Sequence, residues 1–450
     1  MKTMTKKLHF APGFSKMMAG FTFFFLTVTA SNAQVNSDSL PGIASLDQLV
    51  TYAVVHHPLI RQQQLQEEIT SYNIRSKLAD WYPQIGGTYS LQHAFQRSTS
   101  FFNGAAVPVG ATNTSAAQLY LNQAIFNRDV LLANKTKGDV RLQARQATLA
   151  ERINITVNVS KAFYDVVTTQ QQIRVINENI ARLQKSYDDA YYRYQAGVND
   201  KTDYKRAQIA LNNAKATRQA DEAFLKAKVE LLKNAIGYPV EATLNVVYDS
   251  ARMEHEANFD TLQVPDASKR IEYTQLVTQK RLQQANVIYQ RNAALPNVSA
   301  NAAYNLNYFN NSFGKLYNES YPNSYAGLTL GIPIFQGGKR KANMKAAELA
   351  VTQIDLALVN LKSQVNSQYA AALGNYKAHL ADYLATKENV VLAREVYDVI
   401  DLQYKAGVKA YLEVILAESD LRTAQINYFN ALNQVLAARV DAEQALGLIK

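Results

Sequence analysis

Tyr194-Gln195-Ala196-Gly197-Val198 recurs 210 residues further on as Tyr404-Lys405-Ala406-Gly407-Val408. At the same spacing Leu211 falls on Leu421, Ala214 on Ala424 and Gly237 on Gly447. Upstream the spacing drifts. Tyr82-Pro83-Gln84-Ile85 matches Leu295-Pro296-Asn297-Val298 at 213, and Ile125-Phe126 matches Ile334-Phe335 at 209. Drift of this size is what loops tolerate. The chain is written twice, so a repeated structural unit is the first expectation. The expected division is residues 34–237 for the first repeat, 238–270 for a connecting segment of little periodicity, and 271–450 for the second repeat.

Each repeat reads in the same order. A helical segment comes first, over residues 46–80 with a break at Pro58, or over 271–294. Pro83 or Pro296 then ends it, because the residue before a proline is pushed out of the helical region. Two alternating segments follow. Strands are expected at about 83–95 and 117–126, and at about 296–309 and 325–335. After Pro83, the residues Ile85, Tyr89, Leu91 and Phe95 share one face. After Pro296, the residues Val298, Ala300, Ala302, Tyr304, Leu306 and Tyr308 do the same. The second strands carry Leu119 and Leu121, or Leu328, Leu330, Ile332 and Ile334. The opposite faces are small and polar. Period 2 with one apolar face suits strands that have lipid on one side and water on the other. Tyr82, Phe95, Tyr308 and Phe309 near the strand ends suit interfacial aromatic girdles. The intervening residues 96–116 and 310–324, rich in Asn, Ser, Thr and Phe, are expected to be outward loops.

Helical hairpins should complete the repeats, over 127–237 with a tip at 197 and over 337–447 with a tip at 407. From Asn127 to Tyr194 there is no proline and one internal glycine, Gly138. At 1.5 Å per residue that is a helix of about 100 Å. Near its end Ile173, Ile176, Ile180, Leu183, Tyr187, Ala190 and Tyr194 alternate in steps of three and four, which is a coiled-coil seam. Val390, Ala393, Tyr397, Ile400 and Tyr404 repeat it. Gly197 and Gly407 can take the positive φ that ends a helix.

The first residues carry an export signal. Lys2, Lys6, Lys7 and Lys16 precede an apolar stretch over 17–30, and Ser31-Asn32-Ala33 supplies small residues for cleavage. Residues 1–33 therefore read as a signal peptide, with Gln34 as the mature N-terminus. Its removal takes four of the 47 basic residues and none of the 37 acidic ones, so the charge falls from +10 to +6. With no basic block, that balance gives no argument for nucleic acid. There are no cysteines, hence no disulfide framework and no thiolate chemistry. No later segment reaches the roughly 20 apolar residues of a membrane helix. A membrane span must then be built from strands, and four strands cannot close a barrel, since membrane barrels begin at about eight. Several subunits would have to pool their strands.

These features resemble the TolC family of outer-membrane efflux proteins. The resemblance rests on Ser45-Leu46 with Leu49, Ala53 and His57-Pro58, on Trp81-Tyr82-Pro83-Gln84, on Ile332-Pro333-Ile334-Phe335-Gln336-Gly337-Gly338, on Gln123-Ala124-Ile125-Phe126-Asn127, and on the paired Tyr-x-x-Gly-Val tips. It implies an α+β membrane protein with a duplicated helix–strand–strand–helix plan. Four strands per subunit would enter one outer-membrane β-barrel shared by a homotrimer, and the long coiled-coil helices would form a periplasmic tube. Implied partners are a periplasmic adaptor protein, an inner-membrane pump reached through it, and outer-membrane lipid. The implied function is a passive exit duct of a tripartite efflux or type I secretion system.

In that family the tube is closed at the tips by an inward twist of the second-half hairpin. A tyrosine, a basic residue and two aspartates one turn apart hold it. By position Tyr404 stands for the tyrosine, Lys409 for the basic residue and Glu413 for the first acid. The second acid falls on Leu416, so this chain departs there, and an apolar closure stands beside an ionic one. Asp203 is the first-half counterpart of Glu413. Both acids also suit the first turn of a helix, where the dipole favours negative charge. Gly197, Val198, Gly407 and Val408 are the candidates for adaptor contact, because a tip is what a partner can reach.

The residues offer no constellation for catalysis. There is no Gly-rich phosphate loop, Gly-x-Ser-x-Gly or His-Glu-x-x-His. His56 and His57 precede Pro58, and His93, His255 and His379 are isolated, so no spacing suggests a metal site. No cofactor is expected. The competing reading, from another class, is a periplasmic coiled-coil adaptor without a pore. It would not need lipid-type strands at equivalent points of a duplication.

Overall fold

The computed structural model describes residues 43–198, 200–246 and 250–449. The expected signal peptide lies outside them. Helix α1, Leu46–His56, begins where Gln48 reaches back to accept from the Ser45 N–H at 2.9 Å. It stops at His57, held extended by the proline that follows. Pro58 then opens α2, Pro58–Ala79, at the one helical position where a missing N–H costs nothing.

After Pro83 the chain turns into β1, Gln84–His93. A small hairpin, β2 (Thr99–Phe102) with β3 (Ala105–Pro108), leads to β4, Asn113–Phe126. The second pair is β5, Asn297–Asn310, and β6, Tyr321–Gly331. The four long strands form one antiparallel sheet in the order β1-β4-β5-β6. The register puts like on like. Ile85 faces Leu121, Leu119 faces Tyr304, Leu121 faces Ala302, and Val298 faces Leu330. Paired residues point to the same side, so one face of the sheet is apolar across all four strands. The other carries most of the polar side chains, with Asn305 donating to Asn323 at 2.6 Å and Thr329 to Asn301 at 3.4 Å, alongside Tyr120, Ala303 and Tyr325.

The strand limits differ from expectation at three places. β6 ends at Gly331, so Ile332 and Ile334 lie beyond it. Pro333 has no N–H to give the ladder, and pairing stops before it. At the other end β4 and β6 begin inside the stretches expected to be loops, at Asn113 and Tyr321. Asn113 is buried and meets His93 at 2.6 Å, while its amide donates to the carbonyls of Asn310 and Asn311. Backbone pairing continues through polar residues as readily as apolar ones.

Two long helices follow the strand pairs. α3 runs Arg128–Gln195, 68 residues, and returns as α4, Lys201–Ile236. α7 runs Lys339–Lys405, 67 residues, and returns as α8, Tyr411–Leu446. Between them lie the short α5, Ser250–Glu256, and α6, Ile271–Arg291. Near the sheet the helices stand in one layer, α2 on α3, α3 on α6, and α6 on α7. Gln146 donates to the Thr274 carbonyl at 3.1 Å, Arg281 pairs with Asp139 at 2.8 Å, and Lys280 with Asp355 at 2.5 Å. Further from the sheet the main core forms where α1, α3, α4 and α8 meet, around Leu49, Val159, Phe163, Leu232, Leu432 and Leu436.

The connecting segment is fastened to that core by polar contacts. Tyr164 donates to Glu256 at 2.9 Å, and burial with the Glu256 carboxylate beside it pushes the phenol's pKa up, so it stays a donor. Tyr428 donates to Glu254 at 3.0 Å, and Tyr376 donates to the Ala257 carbonyl at 2.8 Å. The end of α4 is pinned in turn. Gly237 has φ +69°, and a Cβ there would sit 2.9 Å from Cδ of Pro58 and 3.0 Å from Cα of His57.

Gly237→Ala should therefore destabilise the protein by about 1–3 kcal/mol, from a strained backbone and a blocked contact. Gly138→Ala, mid-helix with nothing within 4 Å of the added carbon, should instead stabilise by about 0.5–1 kcal/mol. Thermal unfolding of the detergent-solubilised chain, both variants beside wild type, checks the opposite signs.

Candidate functional site: the hairpin tips

The two tips are built alike. After Gln195 the chain turns through Ala196 and Gly197, whose φ is +69°. The Val198 N–H reaches back to the Arg193 carbonyl at 2.9 Å, and the Gly197 N–H to that of Tyr194 at 3.0 Å. At the second tip the Val408 N–H reaches Gln403 at 2.9 Å and the Gly407 N–H reaches Tyr404 at 2.9 Å, with Gly407 at φ +79°. These are glycine-dependent helix ends that satisfy the last carbonyls. They push a valine out at each apex, with Val198 71% and Val408 72% exposed. The returning helices start differently. The Asp200 side chain accepts from the Thr202 N–H at 3.1 Å to cap α4, whereas Ala410 offers α8 no side-chain cap.

The candidate gate residues divide into two groups. Lys409 and Glu413 pair with each other at 2.7 Å, one turn apart at the start of α8. Leu416, a turn further on, is 56% exposed. Tyr404 turns the other way, into an apolar cluster shared by all four long helices. There Tyr187 of α3, Ala207 of α4, Ile400 of α7 and Tyr411 of α8 come together. Arg193 of the first hairpin lies over the Tyr404 ring, 5.1 Å from its centre. The Tyr404 hydroxyl is buried with no hydrogen-bond partner among the described residues. Burial raises its pKa, Arg193 opposes, and the Asp203 charge adds to the rise. The basic residue that meets Tyr404 is thus Arg193, with Lys409 engaged by Glu413. Among the described residues no group of His, Cys, Asp and Glu could hold a metal ion, and no helix is long and apolar enough to cross a membrane.

The profile of the outer membrane efflux protein family matches residues 49–238 and 275–448, one stretch in each half of the chain. The chain belongs to the outer membrane efflux protein family. It is an outer-membrane export channel, of a family of transport proteins rather than enzymes. Outer membrane protein TolC of Escherichia coli (strain K12) is 22% identical over 435 residues, covering 91% of this chain and 85% of that one. Outer membrane efflux protein BepC of Brucella suis is 20% identical over 438 residues, covering 93% and 90%. The crystal structure of the outer membrane protein VceC from Vibrio cholerae superposes with a TM-score of 0.67 at 14% identity, over 89% of this chain and 96% of that one. That plan of paired strands joined to long helical hairpins leaves the pore-less adaptor reading without support.

This efflux protein carries a further contact near the tips that the sequence reading missed. Glu418 of α8 is 2% exposed. It accepts from Asn179 at 2.9 Å and from Nε of Arg182 at 3.1 Å, both on α3. A buried carboxylate therefore ties the second hairpin to the first. The signal was in the spacing. Tyr411, Val414, Glu418, Leu421 and Gln425 follow steps of three and four, so Glu418 and Gln425 occupy seam positions, and both are buried.

Burial pushes the Glu418 carboxyl above the usual carboxylate range, and Arg182 and Asn179 offset this only in part. A raised pKa means the folded state holds the proton more tightly than the unfolded one. That contribution is fully present below the ordinary carboxylate pKa and is lost as pH rises through the raised value. Glu418→Gln should thus be more stable than wild type at neutral pH, with the gap narrowing on acidification. Glu418→Ala, which strips Asn179 and Arg182 of their acceptor, should lose about 1–3 kcal/mol. Thermal unfolding at pH 7 and pH 5 reads both, and a gap that does not move with pH would show that the carboxyl titrates normally.

Proposed function

We propose that three copies of this chain form the passive exit duct of a tripartite efflux or type I secretion system. The tips would meet a periplasmic adaptor, and through it an inner-membrane pump would supply the energy. One observation carries the reading: both layers of the molecule are open at both sides. The sheet ends in unpaired edges on β1 and β6. The helical layer ends in α2 and α7, which expose apolar stripes, Leu65, Ile69 and Tyr72 on one and Leu349, Leu356 and Val359 on the other. A single rotation that sets β6 beside the next copy's β1 also brings α7 toward the next α2. Head-to-tail contacts of this kind close into rings. Three copies give about twelve strands, within the range of membrane barrels. The expected repeats, 34–237 and 271–450, supply equal shares of each layer.

Within the closed duct, the constriction falls to Leu416. Glu413 already has its charge matched by Lys409 in the same helix. Leu416, more than half exposed, lies outside the buried cluster that gathers Tyr411 and Val414 of the same helix. Tyr404 joins the hairpins behind it through the apolar cluster it shares with Tyr187 and Ala207, with the Asp203 charge acting on its hydroxyl, and Val198 and Val408 at the apices are the surfaces left for the adaptor.

Single-channel conductance of the detergent-extracted protein in a planar bilayer tests this. Wild type should show small, mostly closed currents. Leu416→Ala should enlarge them more than Glu413→Ala does. If no variant conducts and the protein purifies as a monomer without detergent, the duct reading fails.

A further inference from the structure

β6 stops at Gly331, but exposed apolar residues continue past it. Leu328 and Leu330 lie on the outward face of the sheet, in register with Ala300 and Val298. Beyond the strand Ile332 is exposed, and Ile334 and Phe335 are 95% and 88% exposed, among the most exposed large apolar side chains in the chain. They sit at the helical end of the sheet. The ends of all four strands show this: Gln84 starts β1, Phe126 closes β4, and Asn297 faces Gly331. Trp81 and Tyr82, also exposed, lead into β1 at this end.

Four residues after Phe335 comes a run of cations, Lys339, Arg340 and Lys341, in the first turn of α7. All three are exposed, and none makes an ion pair or side-chain hydrogen bond among the described residues. The next cation, Lys345, does have an acid, Glu348 at 3.7 Å. The helix gains nothing from the three. Its first turn holds no acid, its Gly338 cap gives no side chain, and positive charge at a helix N-terminus opposes the dipole. Helix stability therefore does not explain them, and an anion from outside the chain would.

We propose that Ile334 and Phe335, with Lys339, Arg340 and Lys341, form a contact surface for anionic phospholipid in the membrane leaflet on the helical side. The inference rests on the outer-membrane channel reading above. Its geometry follows from the chain. Four residues span at most about 13 Å, enough to place the aromatic in the acyl boundary and the cations among the phosphates just outside it. The surface follows directly on the helical end of β6, so the bilayer that covers Leu328 and Leu330 ends beside it. Charge complementarity selects an anionic headgroup over a zwitterionic one.

The test is native mass spectrometry of the full chain extracted in detergent, titrated with phosphatidylglycerol and, separately, phosphatidylethanolamine. Wild type should retain phosphatidylglycerol preferentially. The triple variant K339Q/R340Q/K341Q should lose that preference, by about fivefold per charge and on the order of a hundredfold in all. A control that removes three exposed cations of α4, K201Q/K215Q/K226Q, should keep it. Equal retention of both lipids by wild type, or unchanged retention in K339Q/R340Q/K341Q, overturns the proposal. So does a variant whose lipid count is unchanged while its oligomer falls apart at lower temperature on gels, since the cations would then be meeting a neighbouring copy. Failure of the oligomer reading is separately visible: wild type would appear as single chains, whose bound lipid can still be counted.

Discussion

Every backbone N–H and C=O that enters a bilayer must find a partner, because the hydrocarbon offers none. In this chain that constraint meets a sheet of four strands, too few to close on themselves. The inner strands β4 and β5 are paired on both sides, while β1 and β6 each leave one row of groups open. In water such edges would invite uncontrolled association. In a membrane they can be satisfied only by a second edge of the same kind, and a head-to-tail ring of copies supplies it. The rest of the molecule is consistent with that demand. The helical layer below the sheet is open at the same two sides, and the apolar stripes on α2 and α7 complete the match.

The long hairpins answer a different problem. A helix of 68 residues has far more surface than a single core can cover. The seam of alternating three and four steps lets each helix bury a narrow stripe against a neighbour along its whole length. Most of that stripe is small or aliphatic. Near the tips it is not: Glu418 and Gln425 stand in the seam of α8, and the hydroxyl of the partly buried Tyr404 is enclosed without a hydrogen-bond partner among the described residues. Burying a carboxylate in a seam costs free energy that Asn179 and Arg182 recover only in part.

Much of this was legible in the residues. Alternation marked the four strands and the face each presents, because side chains along a strand point to opposite sides by covalent geometry. Gly197 and Gly407 marked the tips, because few other residues accept positive φ. Pro83 and Pro296 marked where helix gives way to strand. The misreadings have local causes. Ile332 and Ile334 continue the alternation past Gly331, yet Pro333 removes the donor that a strand would need. Asn113 and Tyr321 lie in polar stretches, yet backbone pairing carries the strands through them. Within one chain Lys409 meets Glu413 a single turn away, while the cation over the Tyr404 ring is Arg193 of the other hairpin, a pairing that no local spacing announces.

The sequence by itself determined the elements, their repeated order and the side of each strand that avoids water, since periodicity, capping and proline chemistry act within a few residues. Only the tertiary structure decided which side chains meet across hairpins. Arg193 over Tyr404, Asn179 and Arg182 on Glu418, and Gly237 against His57 and Pro58 join residues far apart in the chain. Their meeting depends on the rotation and register of long helices about one another, which the summed packing of the whole interface sets and no short stretch of sequence encodes.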